Sequence, residues 1–138
     1  MNLGLVGTSL STLPSFAAYF AVALAMMAIF LAAYTAVTPH REWTLLREGN
    51  LAAAISLGGA LVGFALPLAT VIAHTNILID VAVWGVVALV VQLLLWTIVN
   101  LLDRGLAARV TKGETASGVF LAAASIAGGI VNAACMAY

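Results

Sequence analysis

Four stretches of this chain contain no Asp, Glu, Lys or Arg and are long enough to matter: about 15–37, 51–73, 81–99 and 115–136. A helix that crosses the hydrocarbon of a bilayer needs about 20 predominantly apolar residues. Inside that layer every backbone N–H and C=O must be satisfied within the protein, which leaves the helix as the spanning form for such segments. The expected fold is therefore an all-α membrane protein with four transmembrane helices. Composition supports it: 64% of the 138 residues are hydrophobic and 7% are charged, against about 25% charged in a typical soluble domain. So few charges cannot cover a water-facing surface of this size, and lipid must be the main partner. The length allows a single four-helix domain, 1–138.

Several function classes fall away on the same grounds. The formal net charge is zero, so no global field attracts nucleic acid. Cys135 is the single cysteine, which excludes an internal disulfide. It reads as a small packing residue near the end of span four, without a base to activate it. His74 and Asp80 flank a turn, and two ligands make a poor metal site. No nucleophile–base or acid–base pair stands out, so the chain is not expected to be an enzyme, and no catalytic, cofactor-binding or metal residues are assigned. Residues 1–40 hold no Lys or Arg, unlike the basic start of a cleavable signal peptide. Residues 1–13 read instead as an apolar lead-in at the membrane interface.

The connections carry start and stop signals. Pro14 and Pro39 suit the first turn of a helix, where a missing N–H costs nothing. Thr38 is a cap candidate for a short helix after span one, Gly49 can end that helix, and Asn50 can cap span two. Gly113 and Thr115 offer the same pair of signals before span four. All five basic residues lie in two connections: Arg41 and Arg47 in 38–50, Arg104, Arg109 and Lys112 in 100–114. By the positive-inside rule both loops are expected in the cytoplasm and both termini in the periplasm.

The two halves resemble each other. A shift of 64 residues brings Gly49 onto Gly113, Ala52 onto Ala116, Leu57 onto Leu121 and Ala60 onto Ala124. Each half is a bulky span, a basic loop with a late glycine, and a span rich in small residues. Repeat one covers about 15–73 and repeat two about 79–138. The expectation is two tandem helical hairpins related by a pseudo-two-fold axis along the membrane normal.

Spans two and four are the small-residue spans. Gly59 and Gly63 form a GxxxG pair, and Gly118, Ala122, Ser125, Gly129 and Asn132 recur at steps of four and three on one helix face. In lipid such faces let backbones approach closely. Gly59, Gly63 and Gly129 are expected at helix contacts, with spans two and four at the centre. Gln92 interrupts bulky span three near its middle, and Ser125 or Asn132 can satisfy it. A structural clamp outweighs a polar step on a substrate route as the reading of that trio. The spans lack the intramembrane charges that mark ion-coupled carriers. The basic loops mix apolar residues with charge and suit the headgroup layer. Arg41, Trp43, Arg47, Arg104 and Arg109 are the candidate docking residues there.

Several motifs carry a family resemblance. They are Thr38-Pro39-His40-Arg41-Glu42-Trp43, the Pro67-Leu68 pair, Trp84-Gly85 with Ala88-Leu89 and Gln92-Leu93-Leu94, and the ending Gly128-Gly129-Ile130-Val131-Asn132-Ala133-Ala134-Cys135-Met136. In this order, over nearly the whole chain, they resemble the YjfL-like small inner-membrane proteins of bacteria, a domain-of-unknown-function family. The resemblance implies a multi-pass inner-membrane location and a two-copy repeat. By association it implies a role in envelope stress or membrane maintenance beside a cytoplasmic membrane-remodelling partner. It carries over no catalytic residues. The leading expectation is a membrane scaffold or adaptor that forms homo-oligomers. The alternative is a homo-oligomeric channel or small-solute transporter.

Overall fold

The computed structural model describes residues 3–39 and 41–137, and all regular structure in them is helical. Met1, Asn2 and Tyr138, on which the expectation for the termini bears, lie outside the described residues, as does His40 of the loop motif. The order is α1 (Leu3–Ser11), α2 (Leu13–Val37), α3 (Glu42–Arg47), α4 (Leu51–His74), α5 (Leu78–Leu102), α6 (Leu106–Thr111) and α7 (Thr115–Met136). Four helical stretches are long and apolar enough to cross a membrane: Leu3–Val37, α4, α5 and α7. Within the first, the lead-in is itself helical. Pro14 sits in the first turn of α2, and Thr12 marks the break from α1, its Oγ1 donating back to the Ser9 carbonyl.

The short helices end where glycine permits it. Gly49 and Gly113 have φ of +78° and +85°, the left-handed region that closes a helix without a Cβ clash. Asn50 then caps α4, its Oδ1 accepting from the Ala53 N–H at 3.0 Å. Its Nδ2 donates to the carbonyls of Val110 and Thr111 at 3.0 and 3.1 Å. One side chain therefore starts α4 and ties it to the end of α6. Two of the expected signals act differently. Thr38 does not cap α3: its N–H closes α2 on the Tyr34 carbonyl, and its Oγ1 turns back to Thr35, leaving Arg41 at the α3 cap position. Pro39 precedes α3 rather than opening it. Thr115 is the first residue of α7, and Glu114 holds the cap position without a side-chain bond.

Helix α4 is the hub. It touches α2, α3, α5, α6 and α7, and half of its most apolar window is buried. Against α7 the approach is backbone to backbone. Gly59 faces Ala122, Gly118 faces Ala52, and Gly63 meets Ser125 and Gly129. The partners rise together along both helices, so α4 and α7 run parallel. On the other side Phe30 of α2 stacks on Phe64 with ring centroids 4.5 Å apart, among Met26, Tyr34, Leu57, Leu68 and Val81. Helix α5 packs against α4, α7 and α2. Helix α2 rests on α4 and α5 and keeps most of its surface exposed. A small cluster of Leu45, Ala52, Ala53 and Val110 joins the short helices to α4 at the basic end.

Candidate functional site

The polar residues singled out in the sequence gather mainly in two places: the seam between α4, α5 and α7, and the basic face formed by α3 and α6. In the seam, Gln92 is almost fully buried, and its Nε2 donates to the Ser125 backbone carbonyl at 3.1 Å. The glycine opposite makes room, since a Cβ on Gly63 would stand 2.7 Å from that Nε2. Among the described residues Gln92 Oε1 has no hydrogen-bond partner, and neither has Asn132 Nδ2. Gln92 and Ser125 are thus brought together through the backbone, and Asn132 is half-buried farther along α7. Pro67, which the sequence reading used only as part of a motif, adds a second feature. A proline inside a helix leaves the carbonyl four residues earlier without its donor. Here that carbonyl belongs to Gly63, and Gly129 packs directly against it.

The basic face divides the expected docking residues. Arg109 is engaged internally. Its Nη1 and Nη2 donate to the two carboxylate oxygens of Asp103, its Nε donates to Ser117 Oγ at 3.1 Å, and Glu114 lies 3.6 Å away. The guanidinium beside Asp103 holds that carboxyl below the usual carboxylate range, and the same pair raises Arg109 above its ordinary value. Arg109 thus straps the entry of α6 to the start of α7. Arg41 and Arg104 come from different halves of the chain yet line one open groove between α3 and α6. Among the described residues neither makes an ion pair. Trp43 and Arg47 are exposed on α3, outside that groove.

Sequence reasoning missed Asp103 and Ser117, six and eight residues from Arg109, because both lie outside α6, across turns whose conformation periodicity does not specify. It also missed a buried polar group at the basic end, where Tyr34, Glu42 and Ser56 are all nearly inaccessible to solvent. At the opposite end a small cavity of about 180 Å³ is lined by Val71, His74, Thr75, Asp80, Trp84 and Met136. There Thr75 Oγ1 donates to Asp80 at 3.0 Å. Among the described residues no cluster of three metal-ligating side chains occurs.

The family model for the Domain of Unknown Function DUF350 matches residues 8–136. The chain belongs to the DUF350 family. Among its relatives is the UPF0719 inner membrane protein YjfL of Escherichia coli strain K12, 40% identical over 129 residues, which cover 94% of this chain and 98% of that protein. The UPF0719 transmembrane protein YshE of Bacillus subtilis strain 168 is 34% identical over 86 residues, or 62% of this chain and 64% of the other. No solved structure matches. With four membrane-spanning stretches and these relatives, this DUF350 member is a multi-pass inner-membrane protein.

Proposed function

We propose that the protein is a membrane scaffold or adaptor that serves envelope stress or membrane maintenance, with its basic face toward the cytoplasm. One observation carries this reading above the others. The α4–α7 seam is closed at backbone contact from Gly118 to Gly129, which leaves no room for a solute between those helices. A single bundle is thus filled where a pathway would run, and its charged chemistry is displayed on α3 and α6. Trp43 and Arg47, exposed on one short helix, suit a partner at the headgroup layer. Orientation rests on the placement of all five basic residues at that face.

The same reading includes a duplicated unit. Helices α3 and α6 begin and end 64 residues apart, as do the two left-handed glycines, and Asn50 and Glu114 share φ −71° and ψ 103°. A pseudo-two-fold along the membrane normal accounts for these pairs and for the parallel run of α4 and α7. Helix α2 departs from it by packing on α4 and α5, whereas its counterpart α5 packs on both α4 and α7. Homo-oligomer formation belongs to the proposal, with the lipid-exposed apolar faces as the surfaces available.

The test is recruitment. Trp43→Ala with Arg47→Ala should lower co-purification of a cytoplasmic partner from native membranes while insertion stays normal. Unchanged co-purification sinks docking through α3. A second reading, a channel formed between copies, is favoured by the unpartnered Gln92 Oε1 and Asn132 Nδ2. Flux through reconstituted liposomes that changes with Gln92→Leu or Asn132→Leu would put the channel first.

A further inference from the structure

The groove between α3 and α6 sits where a lipid headgroup would lie. Val37, the last residue of α2, and Leu101 and Leu102, the last of α5, are exposed apolar residues. Arg41 follows Val37 by four positions and Arg104 follows Leu102 by two, so both guanidiniums stand just beyond the lipid-facing ends of two spans. They line the same groove, which has a volume of about 570 Å³ and is bounded also by Thr44, Glu48, Ala108 and Thr111. Arg109, the neighbouring base, is consumed by Asp103 and Glu114, whereas Arg41 and Arg104 make no ion pair among the described residues.

From this placement we infer that the groove between α3 and α6 binds an anionic phospholipid, its phosphodiester held by Arg41 and Arg104. Guanidinium forks match phosphate oxygens, and two converging forks define one anion position. The charge balance selects the headgroup. Two arginines and Glu48 give the groove one net positive charge, which complements a lipid with one negative charge. Glu48, Thr44 and Thr111 can meet headgroup hydroxyls, as a glycerol headgroup supplies. Leu45 and Ala107 give the groove an apolar wall for the glycerol backbone. The inference rests on the scaffold reading only for which leaflet the lipid comes from.

The experiment is native mass spectrometry of the full chain in mild detergent, with phosphatidylglycerol, phosphatidylethanolamine or phosphatidylcholine added. Phosphatidylglycerol should be retained over both others. Arg41→Gln with Arg104→Gln should cut that retention by about thirtyfold. Arg47→Gln with Lys112→Gln removes the same charge from the same face outside the groove and should leave the preference in place. Glu48→Gln should raise retention, and it serves as the decisive variant if the double arginine change does not fold. Equal losses in both double variants would overturn the groove in favour of general surface attraction. Retention of phosphatidylethanolamine as strong as that of phosphatidylglycerol overturns the anionic assignment. Displacement of the lipid by millimolar inorganic phosphate marks a free-anion site instead, and unchanged retention in Glu48→Gln also refutes the proposal. If the unmutated chain retains no phosphatidylglycerol while partner recruitment is intact, the groove alone is discarded, and retention without any recruitment discards the scaffold alone.

Discussion

A methyl group added to Gly63 or Gly129 would fall on backbone atoms of the facing helix, and backbone cannot swing aside as a side chain can. Gly63→Ala or Gly129→Ala should therefore cost about 1–3 kcal/mol of stability in detergent, the usual range for overpacking. Gly58, one residue from the seam, has nothing within 4 Å of its Cβ position. Gly58→Ala should be neutral or stabilising by up to about 1 kcal/mol, since alanine is the better helix former. Thermal unfolding of the three variants checks the contrast, and equal behaviour would reject the seam as the reason. At Asp103 the prediction concerns pH. Arg109 lowers its pKa in the folded chain, so the stability linked to this group is present above the unfolded value of about 4 and is lost as pH falls through the folded value. Acid should loosen the α6–α7 connection first. Asp103→Asn should weaken that connection at neutral pH and remove its acid sensitivity, as read by limited proteolysis between pH 3 and 7.

At the scale of elements, the spans were legible because hydrocarbon imposes one requirement on every residue of a spanning helix. The ends of α4 and α7 fall within a residue of the expected 51–73 and 115–136, where glycine, asparagine and charge all change together. Span three reaches farther than 81–99, to Leu78 and Leu102, because Asp80 is tolerated in a first turn whose N-terminal dipole favours it. The capping role of Thr38 misled because its hydroxyl bonds back along the preceding turn instead, and that of Thr115 because α7 begins one residue early, with Glu114 at the cap position. The Arg109 strap was illegible for a different reason: its partners sit across a loop, and loop conformation is not encoded in periodicity. Asn50 is the element-level test. Asn50→Ala removes a cap and both bonds to α6, and should cost about 1–3 kcal/mol. Asn50→Asp keeps the cap acceptor but loses the two donated bonds, so its deficit should be the smaller by about the worth of the cap. Identical losses in both would mean that the tie to α6 carries the whole effect.

For the whole molecule the expectation is that the two loops and the Thr75–Ile77 turn lie on opposite sides of the membrane. Single cysteines at Arg47 and Thr75, in a Cys135→Ser background, should react with an impermeant reagent from opposite sides, Thr75 from the periplasm. Labelling of position 47 from the periplasm would reverse the proposed orientation. The placement of α2 was not legible from the sequence at this scale, because its apolar surface is continuous and names no preferred neighbour.

The near-unbroken helix from Leu3 to Val37 sets a problem of thickness. Its 35 residues would measure about 52 Å end to end, against roughly 30 Å of hydrocarbon. Tilt alone would have to exceed 50°, roughly, to hide that length, beyond the usual range of up to about 40°. The surplus must lie along the surface or stand clear of the oil, and the break at Thr12 supplies the joint at which α1 can turn aside. How much of α1 is submerged is then set by the host bilayer. A thin membrane lays it out among the headgroups, and a thick one draws it in, so this protein's outermost helix is a depth gauge for the lipid around it.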